Sequence, residues 1–77
     1  MKSFIKQDMQ RNDDLIEGLK WVMTAIDQED FPVPLDEAEA KGAKLTARNL
    51  IGLLILANDA LGEHLSDLEA EEADEVV

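Results

Sequence analysis

The stretch Leu50–Leu68, LIGLLILANDALGEHLSDL, limits what this chain can fold into more than any other. Of its first eight residues only Gly52 lacks a hydrocarbon side chain. A helix at a protein surface is apolar along one stripe, and one that is apolar nearly all round is covered on more than one side. The chain has 77 residues, enough for one domain and a modest core. Leu50, Leu54, Ala57, Leu61, Leu65 and Leu68 form one helical stripe, which a single neighbouring helix covers. Ile51, Leu53, Ile55, Leu56 and Ala60 spill beyond it. That surplus predicts self-association, with helices of two chains sharing a bundle. Asn49, Asn58 and Asp59 lie on or near these faces, where polar residues fix register.

An earlier segment, about residues 3–28, reads as the other helix. Ile5, Met9, Asn12, Ile16, Leu19, Met23 and Ile26 fall at alternating steps of four and three, a heptad seam with one polar member. Leu15 and Val22 widen the apolar stripe on one flank. Asn12, Asp13 and Asp14 also offer a second start or a bend, since Asn and Asp cap helices well. Gly18 weakens the helix if exposed, and next to Leu19 it would permit close approach of another chain segment. Residues 29–35, EDFPVPL, break the helix: Pro32 and Pro34 exclude regular helix and push Phe31 and Val33 towards extended geometry. Asp36 and Glu39 then match a reciprocal cap for a helix over about residues 36–70, with a possible bend at Gly42. Thr46 offers an alternative cap. Residues 71–77 read as an acidic tail.

The expected fold is all-α: an antiparallel helical hairpin, one domain over residues 1–70, assembling into a homo-oligomeric helix bundle. The expected oligomer interface holds Leu50, Ile51, Leu53, Leu54, Ile55, Leu61 and Leu65, together with the Ile5–Ile26 seam.

Charge restricts the partners. Eighteen acidic residues face seven basic ones. All seven bases lie in residues 1–48 beside ten acids, and residues 49–77 carry eight acids with no Lys or Arg. Such a balance disfavours nucleic acid and anionic membranes and suits a basic protein surface. An antiparallel hairpin would bring Lys2, Lys6 and Arg11 near Glu63, Asp67 and Glu69. There is no cysteine, which excludes disulfides and thiolate metal sites. No signal-peptide core follows Lys2, and the apolar run Leu53–Ala57 is far short of the roughly 20 residues of a membrane span. A cytoplasmic protein is expected.

Motifs for catalysis are missing. His64 is the only histidine. Di-metal bundles use Glu-x-x-His pairs from separate helices, and here Leu61 stands three residues before His64. The pairs Asp14/Glu17 and Glu71/Asp74 have the i, i+3 spacing of the magnesium-binding helical nucleotide pyrophosphatases, and resemble them in that spacing alone. No glycine-rich phosphate loop or calcium loop occurs. Neither an enzyme nor a cofactor is expected. Trp21 falls opposite the seam and, with Phe31, is a candidate apolar anchor for a partner. Asp13, Asp14 and Glu17 are the candidate acidic contacts.

In size, charge and lack of cysteine the chain is similar to small acidic helical proteins with which phages block host enzymes. That likeness implies a non-enzymatic inhibitor or regulator, with its carboxylates standing in for phosphates. The stretch Leu56–Leu61, LANDAL, also resembles the second helix of phage hairpins that sequester cyclic-nucleotide signals, which would imply a ligand sponge. A purely structural oligomerisation unit is the remaining reading.

Overall fold

Each helix of the hairpin begins and ends where its residues dictate. The computed structural model describes residues 2–76, with side chains over residues 2–72. Helix α1 spans Lys2–Asp27 and helix α2 spans Glu37–Val76. They pack against each other as a hairpin, and among the described residues no other regular element occurs. α1 runs through Asn12–Asp14 as one helix, and α2 runs through Gly42 and Thr46. α2 also continues over residues 71–76, where the composition suggested a tail; Val77 lies outside the described residues.

The reciprocal cap forms as its residues predict. The Glu39 backbone N–H donates to Asp36 Oδ1 at 2.8 Å, and the Asp36 N–H donates to Glu39 Oε1 at 3.2 Å. Two of the otherwise orphaned donors at the start of α2 are satisfied in this way. At the other side of the loop, α1 ends in a Schellman turn. The Asp30 N–H reaches the Ala25 carbonyl at 2.9 Å, and the Glu29 N–H reaches that of Ile26 at 3.1 Å. The turn requires a left-handed residue, and Glu29 supplies it at φ 55°. A left-handed conformation costs an L-residue about 1–2 kcal/mol, whereas glycine adopts it freely. Glu29→Gly is therefore expected to raise stability by about 1 kcal/mol, after allowing for the greater freedom of glycine in the unfolded chain. A urea melt followed by circular dichroism reads this, and an unchanged or lowered midpoint would contradict it.

The seam of α1 is the one its spacing predicts. Ile5, Ile16 and Ile26 are buried, and Met9, Asn12, Leu19 and Met23 are half-buried. On α2 the matching set is Ala40, Lys44, Ala47, Ile51, Leu54, Asn58, Leu61, Leu65 and Leu68, again at steps of four and three and all buried or half-buried. Asn12 and Asn58 fix the register. Asn12 Nδ2 donates to Asn58 Oδ1 at 2.9 Å, while Asn58 Nδ2 donates to Asp13 Oδ1 at 2.9 Å and to the Met9 carbonyl at 3.4 Å. This register sets Ile16 level with Leu54, Leu19 with Ile51, and Met9 with Leu61. The layers are thin, and among the described residues no side chain is fully buried.

Ion pairs close both ends. Lys44 Nζ lies 2.8 Å from Asp27 Oδ1 near the loop, and Lys2 pairs with Glu72 at the free ends. The Glu72 carboxylate accepts the Lys2 hydrogen bond and holds that ammonium above the usual lysine range, with Glu69 adding to the effect. The contribution of the pair is present below the ordinary lysine pKa and is lost only as pH climbs past the raised one. It is solvent-exposed, so it biases the arrangement and does not hold it.

The molecule is a rod. Its extents are 61 × 17 × 14 Å, and 61 Å is close to the roughly 60 Å expected of a 40-residue helix. The radius of gyration is 17.7 Å, against about 11 Å for a globular domain of this length.

Candidate interaction surfaces

With no third layer, whatever the helices do not turn towards each other is exterior. The candidate residues divide according to their position around each helix. Asp14, Glu17 and Trp21 lie at i, i+3 and i+7 on the outward face of α1, and all three are exposed, Trp21 by 65%. Gln10 Nε2 donates to Asp14 Oδ1 at 3.0 Å, and Lys20 Nζ lies 3.4 Å from Glu17 Oε1. Asp13 belongs elsewhere: it is turned towards α2 and accepts from Asn58. Phe31 is half-buried in the loop, beside an open hollow lined in part by Ile26, Leu35 and Ala40.

The apolar candidates on α2 divide as well. Ile51, Leu54, Leu61 and Leu65 are half-buried and line the seam with α1, so the hairpin itself uses them. Leu50, Leu53 and Ile55 remain exposed. The seam of α1 is likewise occupied within the chain. The Leu50–Leu54–Ala57 stripe expected to face α1 is displaced by one residue at two positions, to Ile51–Leu54–Asn58, because the polar Asn58 meets Asn12.

Charge completes the exterior. From Asp59 to Glu72, α2 presents Asp59, Glu63, Asp67, Glu69, Glu71 and Glu72, all exposed. Among the described residues only Glu72 of these six pairs with a base. Arg11, expected to reach across to α2, pairs instead with Asp8 one turn away in α1. An i, i+3 partner on the same helix costs less ordering than one across the seam. An open groove beside the seam is lined by Met9, Asn58, Asp59, Gly62, Glu63, Ser66 and Asp67.

No protein-family model, curated protein or solved structure matches the chain. Among the described residues no three of His, Asp and Glu are grouped so as to hold a metal ion. His64 is exposed, and Asp14 and Glu17 point outward from α1 rather than into a shared site. The Asp74 side chain lies outside the described residues. No described helix is long and apolar enough to cross a membrane.

One surface is missing from the sequence-based set of candidates. In an antiparallel pair, the residues just before the first seam position of each heptad lie on the same side of both helices. Here these are Asp8, Leu15 and Val22 of α1, and Ala43, Leu50, Ala57 and His64 of α2. Leu15 and Val22 are legible as a widened stripe in α1, but their alignment with Leu50 requires the register that Asn12 and Asn58 fix.

Proposed function

We propose that this chain is a non-enzymatic protein-binding module that regulates or inhibits another protein by covering a basic surface on it. The observation that supports this most is the excess of unpaired carboxylate on an open rod: five of the six exposed acids of α2 between Asp59 and Glu72 have no basic partner among the described residues. Holding like charges along one helix is unfavourable in isolation and becomes favourable against a positive surface. On α1, Asp14 and Glu17 flank Trp21 along one stripe, so a charged contact comes with an aromatic anchor. Trp is the residue type most often found at the energetic centre of protein interfaces.

The test uses capture from a cell extract on immobilised chain, with elution by salt. Proteins held at low ionic strength are expected to release in 1 M salt, where the Debye length is about 3 Å. The Asp14→Lys/Glu17→Lys variant should capture them less, as should Trp21→Ala, because the acids of α2 stay in place. Both acids are exposed, so the variant should keep its helicity. A catch that is unchanged by salt and by charge reversal would reject this function.

A further inference from the structure

The hairpin has two chemically different flanks. One carries Lys6, Asp13, Glu17, Lys20 and Asp27 from α1 and Lys41, Arg48, Asp59 and Glu69 from α2, with the exposed Leu45 and Ile55 set singly among the charges. The other carries Leu15, Gly18, Val22 and Ala25 from α1 and Ala43, Leu50, Leu53, Ala57 and Ala60 from α2. Over these spans the second flank holds no charged residue, and Thr46 is its one polar side chain. Leu15, Leu50 and Leu53 are 49%, 44% and 62% exposed on it. In α2 the uncharged run covers about 26 Å of rod at 1.5 Å per residue.

We propose that a second copy of this chain docks on this flank, with the two rods antiparallel, to form a four-helix bundle. Area supports this occupant. The chain exposes 5981 Å², whereas a folded monomer of 8.6 kDa exposes about 4,700 Å². The excess, about 1,300 Å², is spread over the whole rod, and a standard interface would take roughly 800 Å² from each partner. Charge supports the orientation. Each chain is at −11, so two copies repel unless their charges are kept apart. The half of the rod at the free ends, residues 1–14 and 57–77, holds eleven acids against three bases, and the loop half holds seven against four. Antiparallel rods put the two heavily acidic halves at opposite ends of the dimer, and the uncharged flank lies between them. Gly18 fits the same arrangement. Nothing lies within 4 Å of where its Cβ would stand, so the hairpin does not require it, although glycine in an exposed helix is unfavourable. On this flank it leaves room for a helix of the second copy.

The proposal is independent of the acidic-surface function, because the Asp14–Glu17–Trp21 stripe faces away from this flank. The test is sedimentation equilibrium of the purified full chain from about 1 to 100 μM. The expected mass is twice 8.6 kDa. Leu50→Glu/Leu53→Glu should give a helical monomer, and Leu45→Glu, which is exposed on the opposite side, should remain a dimer. The chain has no cysteine, so Ser66→Cys gives one spin-label site per chain. Antiparallel rods should hold the two labels about 40 Å or more apart, and parallel rods about 20 Å. A wild-type chain monomeric at every concentration would overturn the proposal. So would a dimer indifferent to Leu50→Glu/Leu53→Glu, a dimer lost with Leu45→Glu, or labels near 20 Å. The spin-label distance reads the dimer without altering the flank, so it decides the matter even if the double glutamate variant fails to fold.

Discussion

Ile16→Ala should cost about 2–3 kcal/mol, a large share of the stability of the hairpin. Ile16 is 8% exposed and level with Leu54 in the middle of the seam. Truncating a buried Ile or Leu to Ala costs about 2–5 kcal/mol, the larger values occurring where the cavity cannot collapse. Among the described residues no side chain is fully enclosed, which places the expected loss in the lower part of that range. Small domains hold about 0.05–0.15 kcal/mol per residue, so a chain of 77 residues has as little as about 4 kcal/mol to lose. Val33→Ala, at an exposed loop position, should change stability by less than about 0.5 kcal/mol. Urea melts of the two variants at one protein concentration make the comparison. A loss below about 1 kcal/mol for Ile16→Ala would mean that the seam is not where the stability resides.

The paired asparagines should show strong coupling. Asn58→Leu strips partners from Asn12 and Asp13 together, whereas Asn12→Leu leaves Asn58 its bonds to Asp13 and Met9. A half-buried polar group left without its partner costs about 1–3 kcal/mol. Asn58→Leu is therefore expected to lose about 2 kcal/mol and Asn12→Leu about 1 kcal/mol. The double variant Asn12→Leu/Asn58→Leu should recover these losses and exceed the wild type in melting temperature, since an apolar layer replaces a polar one. Its cost should be uniqueness: without the polar layer, neighbouring registers become comparable, as when a buried asparagine is removed from a coiled coil. Thermal melts read the first effect, and the number of amide resonances per residue reads the second. Additive losses in the two single variants and the double would show that the pair is not coupled.

The first helix was almost fully legible in the sequence, and the second only in part. In α1 the apolar residues other than Trp21 keep to a seam and one flank, so Ile5 through Ile26 could be read directly, with Asn12 as the polar layer. The Asp36/Glu39 cap was equally readable, because a cap depends on residues three apart and on nothing distant. In α2, Leu50–Leu56 is apolar on every face, and periodicity cannot choose among faces that all look alike. Reading only hydrocarbon as seam then favoured Leu50 and Ala57 over Ile51 and Asn58. The small residues Ala40 and Ala47, and Lys44 with its aliphatic stem, gave no signal, although Ala47 is the most buried of the core residues at 4% exposure. The outward stripe Asp14–Glu17–Trp21 could be found by spacing alone. The displacement of Asp13 from it required the position of Asn58, which lies 45 residues away.

Bonds between the helices sit at three levels of the hairpin, and one from each level joins residues 17, 46 and 70 positions apart: Asp27 to Lys44, Asn12 to Asn58, and Lys2 to Glu72. Closing the longest loop costs about 1.3 kcal/mol more chain entropy than closing the shortest, since the cost grows with the logarithm of loop length. Loop entropy therefore favours assembly from the proline turn outward and opening from the free ends inward. The end that carries most of the negative charge is the one that this term favours least.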